Sequence, residues 1–159
     1  AYVKNGKVKI KKGIFNPDRM IQLHRKLIGI PHILHFRIAT AGRIDAENCH
    51  PFRIDRKTAI IHNGILPYPG SELRSDTSHF VEEILIPERK RIQCDKFKSE
   101  IEFEIGINNK FVFLHSTGEC TIYNESAGHW NNGVWYSNYS YEYYDDTECY
   151  TDTIESLDD

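Results

Sequence analysis

The chemistry legible in this chain lies in a few polar residues that close apolar runs. Arg37 ends the run His32-Ile33-Leu34-His35-Phe36. A guanidinium there is a permanent cation, and its planar fork can hold a carboxylate through two parallel hydrogen bonds. Asn63-Gly64 ends a second run, Thr58-Ala59-Ile60-Ile61-His62. The side-chain amide of Asn63 and a flexible backbone N–H at Gly64 are two donors able to stabilise the oxyanion of an acyl transfer. Asp76, in Ser75-Asp76-Thr77, brings a negative charge. Each residue also has an ordinary role open to it. Arg37 can pair with a nearby acid, Asn-Gly can be a simple turn, and Asp76 can offset a helix dipole. Cys49 beside His50 invites a thiol–imidazole pair, but neighbours on an extended segment point to opposite faces.

Taken together and in order, four segments are more specific than any one of them. These are His35-Phe36-Arg37-Ile38-Ala39-Thr40-Ala41-Gly42, Asn48-Cys49-His50-Pro51-Phe52, Ile60-Ile61-His62-Asn63-Gly64-Ile65 and Ser75-Asp76-Thr77. They resemble the class II glutamine amidotransferases of the N-terminal-nucleophile hydrolase superfamily. The resemblance spans roughly residues 2 to 86 and continues less clearly to Tyr139. It extends in particular to small stand-alone versions encoded by phages, including Trp135-Tyr136-Ser137-Asn138.

The resemblance implies an α+β fold, the four-layered αββα sandwich, and release of ammonia from glutamine. It implies that Arg37 and Thr40 bind the α-carboxylate, Asp76 the α-ammonium, and Asn63 and Gly64 the oxyanion. The family's nucleophile is an N-terminal cysteine, whereas residue 1 here is Ala1. Residues 2–11 resemble an internal strand pair of the family, so the nucleophile strand is expected upstream or on another chain. The alternative is an inactive relative that acts as a binding or structural module. Two positions depart from the family's usual residues: Ile38 where tryptophan is frequent, and Ala41 where histidine is frequent. Expected partners are glutamine or a related amide and a synthase or acceptor-domain protein, with no nucleic acid, membrane, metal or cofactor.

Composition agrees with an ordinary globular domain. The 159 residues are 40% hydrophobic and 27% charged, enough apolar material for one core. A net charge of −3 gives no general attraction to phosphate backbones. Cys49, Cys94, Cys120 and Cys149 form no CxxC pair, which argues against a zinc ribbon or redox motif and for free thiols in a cytoplasmic setting. No stretch has the length or apolarity of a membrane span or a signal peptide. His32 and His35 would fall on opposite faces of a strand, and no HExxH pattern occurs, so structural histidines are expected.

The elements that must position these residues follow from local pattern. Lys4-Asn5-Gly6-Lys7 predicts a hairpin, with Val8 and Ile10 alternating against lysines. Asn16-Pro17-Asp18 predicts a helix start, and Gly29-Ile30-Pro31 its end. Residues 32–39 and 58–62 predict buried strands. Ser75-Asp76-Thr77 predicts a helix that runs to Pro87, followed by another over 95–103. Strands are expected at 110–115 and 120–123, and a last hairpin at 130–136. Residues 1–140 form the expected domain. Residues 141–159 are acidic and tyrosine-rich and read as a terminal segment.

Overall fold

The computed structural model describes residues 1–37, 45–68 and 70–140. These form a mixed α+β domain built on antiparallel sheets. The central sheet has four strands in the order β3 (Phe52–Arg53), β4 (Thr58–Asn63), β5 (Lys110–His115), β6 (Cys120–Tyr123). The β4–β5 ladder is its backbone, pairing Thr58 with His115 through to Asn63 with Lys110. Both strands are almost continuously apolar because both faces of the sheet are covered.

On one face, Ile60, Phe111, Phe113 and Tyr123 pack against Phe80, Leu85, Phe97, Ile101 and Ile105. The last three residues recur every four positions along α3 (Asp95–Ile105), giving it one apolar stripe. On the other face, Ala59, Val112, Leu114 and Ile122 meet Ala1, Val8 and Ile33. Val8 comes from the hairpin β1 (Tyr2–Lys4)–β2 (Lys7–Lys9). The turn residues Asn5 and Gly6 both have positive φ, the type I′ pattern that Asn-Gly anticipates. A second Asn-Gly turn, Asn132-Gly133, joins β7 (His129–Asn131) to β8 (Val134–Tyr136) in the same way.

Phe113 is fully buried, with its ring 4.9 Å from that of Tyr123 and 6.1 Å from that of Phe111. Phe113→Ala is expected to cost about 3–5 kcal/mol. A urea-denaturation midpoint measures the loss.

α1 (Pro17–Leu27) begins as expected, with Asn16 Oδ1 accepting from the Arg19 N–H and Pro17 in the first position. It half-buries Met20 and Leu23 and buries Leu27. His24 Nδ1 and His32 Nε2 lie 3.0 Å apart, tying the helix to the segment that follows it.

Three expectations need correction. Residues 32–37 form no regular strand. The segment meets the first residues of the chain through Ile33 N–H to Ala1 O and Ala1 N to Ile33 O, and Val3 N–H bonds the preceding Pro31 O. Residues 38 and 39 lie outside the described residues. The helix opened by Ser75 is α-helical only over α2 (Asp76–Phe80). It then widens into a π turn over Val81–Leu85, with Ile86 N–H bonding Val81 O. Finally, α3 runs two residues beyond its expected end, to Ile105, where Gly106 at φ +73° stops it. Among the described residues, no helix is long and apolar enough to cross a membrane.

Candidate functional site

A cleft of about 450 Å³ opens at the end of β4. That volume suits a small-molecule ligand. Arg37, Asn63, Gly64 and Asp76 all line it, together with His35, His50, His62 and Thr77. Thr40 lies outside the described residues.

β4 delivers one side. Its last residues carry His62 inward and Asn63 to the cleft, and Gly64 turns the chain at φ +134°. A Cβ on Gly64 would lie 2.9 Å from the Asn108 carbonyl oxygen and closer still to Asn109 Oδ1. Only glycine fits this turn.

α2 delivers the opposite side. Ser75 caps it by accepting from the Ser78 N–H at 3.2 Å. Ser75 is itself held by its own N–H, which donates to Asn48 Oδ1 at 2.8 Å. Asn48 is 2% exposed and also donates to Leu73 O and Asp45 Oδ1, so it pins the loop before the helix. Asp76 is 9% exposed. Its Oδ2 accepts the Leu66 N–H at 2.8 Å and its Oδ1 the Thr77 N–H at 2.7 Å. These bonds fix the carboxylate and offset part of the cost of burying it.

The floor is a row of imidazoles. The His35 and His50 rings are 4.1 Å apart, and His50 and His62 are 6.2 Å apart. His50 precedes Pro51 through a cis peptide bond. Neither ring nitrogen of His50, nor Nδ1 of His35, has a hydrogen-bond partner among the described residues, and all three atoms are buried. Burial pushes His35 down to about 4, with the charges of His62 and Arg37 in the same direction and a hydrogen bond to the His62 backbone opposing. Burial also holds His50 well below its ordinary value, reinforced by His35, His62, Arg37 and Lys12. His62 is lowered by burial too, opposed by its bond to Asn109 and by the charge of Asp76. At neutral pH the floor is therefore uncharged.

The cleft thus sets a cation, Arg37, and an anion, Asp76, in one small polar space with amide donors at Asn63-Gly64. Cys49 does not join it: its thiol donates to Asp45 O at 3.2 Å. Cys94 and Cys120 are exposed, and Cys149 lies outside the described residues. No group of three or more potential metal ligands occurs among the described residues.

Residue-by-residue reading missed the roles of His62, Thr77 and Asn109, whose partners lie far away in sequence. It also missed Asn138 and Ser140, which contribute to the cleft wall. Asn138 Oδ1 accepts from the Ser140 N–H at 3.0 Å, and this local turn gives the wall its shape. The chain matches no family model, no curated protein and no solved structure.

Proposed function

We propose that the cleft binds glutamine, or a related γ-glutamyl amide, by its charged end and its amide at once. One observation carries the reading: Arg37, Asn63, Gly64 and Asp76 come from three separate segments and line a single cleft. A zwitterionic amino acid needs a cation for its carboxylate and an anion for its ammonium, and a reacting amide needs donors at its carbonyl. The four residues supply those three things. The helices on one face of the central sheet and the β1–β2 hairpin on the other are compatible with the four-layered αββα sandwich, which is part of the proposal.

The reaction assigned is that of a class II glutaminase. A cysteine thiolate attacks the side-chain amide carbon, ammonia leaves, and water cleaves the resulting thioester. None of the described residues lining the cleft is a cysteine. By resemblance to the family's N-terminal cysteine, the thiol would come from residues upstream of Ala1 or from another chain. Asn63 and Gly64 would hold the oxyanion, and Arg37 and Asp76 the amino-acid end. Ammonia would pass to an acceptor on a partner protein. A second reading, an amino-acid-binding module without turnover, needs only the residues that line the cleft.

The test uses the full-length protein and glutamine. Glutamate release is expected, and Arg37→Ala is expected to lower kcat/KM about 100-fold, as for loss of one partner of a buried charge pair. Glutamine binding without glutamate release selects the binding module. No binding, with Arg37→Ala indistinguishable from wild type, overturns both.

A further inference from the structure

A line of contacts runs beneath the cleft from its anionic corner to its amide-donor corner: a backbone N–H bond to Asp76, side-chain hydrogen bonds through Thr77, His62 and Asn109, and the close approach of Asn109 to Gly64. Asp76 Oδ1 accepts the Thr77 N–H at 2.7 Å and lies 3.3 Å from Thr77 Oγ1. Thr77 Oγ1 lies 2.7 Å from His62 Nδ1. His62 Nε2 lies 2.9 Å from Asn109 Oδ1. Asn109 is the residue that a Cβ on Gly64 would strike. Thr77, His62 and Asn109 are 2%, 3% and 5% exposed, so the line is shielded from water.

The proton positions follow from the donors. Asn109 Nδ2 donates to Ile105 O at 2.6 Å, which turns its Oδ1 toward His62. Oδ1 can only accept, so His62 Nε2 carries the proton. In the neutral ring Nδ1 must then accept, and the Thr77 hydroxyl donates to it. Asn109 is anchored in turn, its backbone oxygen accepting from Asn124 Nδ2 at 2.7 Å. A hydroxyl–imidazole–amide line has the connectivity of a nucleophile triad. Here, however, the hydroxyl is buried, is committed to the ring and adjoins a carboxylate, which suits holding rather than attack.

We propose that His62 is a positioning residue which, through Thr77 and Asn109, fixes the span between the Asp76 corner and the Asn63-Gly64 corner. That span decides which amino-acid amide fits the cleft. An amide that reaches both corners is a γ-carboxamide or a β-carboxamide, not both, because one methylene changes the reach by more than a hydrogen bond tolerates. The inference rests on the reading of the cleft as an amino-acid amide site.

The test compares wild type with Thr77→Val, which keeps the shape and removes the hydroxyl, and Thr77→Ser, which keeps the hydroxyl. Binding of glutamine and asparagine is measured by calorimetry on the full-length protein, and the His62 ring nitrogens by 15N NMR. Wild type is expected to show a single His62 tautomer, protonated at Nε2, and a preference for glutamine. Thr77→Val is expected to remove the hydrogen bond at His62 Nδ1, shifting that nitrogen's resonance while Nε2 stays protonated against Asn109, and to narrow the glutamine-to-asparagine ratio at least tenfold. Thr77→Ser is expected to restore both. A ratio unchanged in Thr77→Val, or both affinities reduced equally, overturns the inference, as does a mixed tautomer in wild type. If wild type binds neither amino acid while His62 still shows its single tautomer and a Thr77-dependent Nδ1 resonance, the reading of the cleft as an amide site fails and its selectivity with it. The hydrogen-bonded line itself is then upheld.

Discussion

Gly64→Ala is expected to destabilise the protein by about 2–5 kcal/mol, combining backbone strain with overpacking. Gly64 sits at φ +134°, a conformation that side chains rarely adopt. An added methyl would press on the Asn108 carbonyl and on Asn109 Oδ1. Neither can retreat freely. Asn109 is bonded to His62, Ile105 and Asn124, and Lys110, next in sequence, is paired with Asn63 in the central ladder. Gly133→Ala is the control. Gly133 also has positive φ, at +78°, but a Cβ there meets nothing within 4 Å. Its cost should stop at the conformational term of about 1–2 kcal/mol. Urea denaturation of the two variants measures the difference. Equal midpoints would show that the turn at Gly64 has room, and the close approach would then be disproved.

Acidification is expected to remove a large part of the stability between pH 6.5 and 4. In the unfolded chain each histidine takes up a proton near 6.5. In the folded chain His35 does so only at about 4, and His50 and His62 are also held down, all three chiefly by burial. The unfolded state therefore binds more protons throughout this window, and stability falls as pH falls. Above pH 6.5 the three rings are neutral in both states and the effect vanishes. His35 alone accounts for about 3 kcal/mol by pH 4, against a usual total of about 5–15 kcal/mol. Urea midpoints at pH 7.5, 6 and 5 test this. His35→Gln should reduce the pH slope by about one proton. A flat profile from pH 7.5 to 5 would mean that the imidazoles are solvated or partnered.

What could be read from the sequence was local. Asn5-Gly6 and Asn132-Gly133 announce their turns because few other pairs accept two positive φ angles. Asn16 and Ser75 announce helix starts because their side chains accept from orphan N–H groups. β4 and β5 stand out as apolar runs because the sheet is covered on both faces. The four cleft residues Arg37, Asn63, Gly64 and Asp76 were accessible only as a joint pattern, since each alone has an ordinary structural role.

What could not be read was set by distance. Residues 32–37 have a strand's composition, but the chain's first residues offer them only a few bonds. The π turn over Val81–Leu85 leaves no mark in the sequence, since Val81 and Leu85, both in the core, keep the four-residue spacing of an ordinary helix. Asn48, His62 and Asn109 owe their roles to partners in other segments, and although Asn48 and His62 fall within the four segments of the resemblance, nothing there gives them those roles. Asn108-Asn109 in particular looks like any loop.

The β4–β5 ladder joins strands separated by the whole excursion that carries α2 and α3. Arg37 and Asn63 precede that excursion, and Asp76 lies within it. The two turns at Asn5-Gly6 and Asn132-Gly133 can close early, since neighbouring segments meet quickly. The cleft has no such shortcut: its wall is complete only when Asn138 and Ser140, beyond the excursion, join the residues that precede it or lie within it. A ligand that spans its corners therefore acts as a clasp on the circuit. It resists local opening there by its own binding free energy.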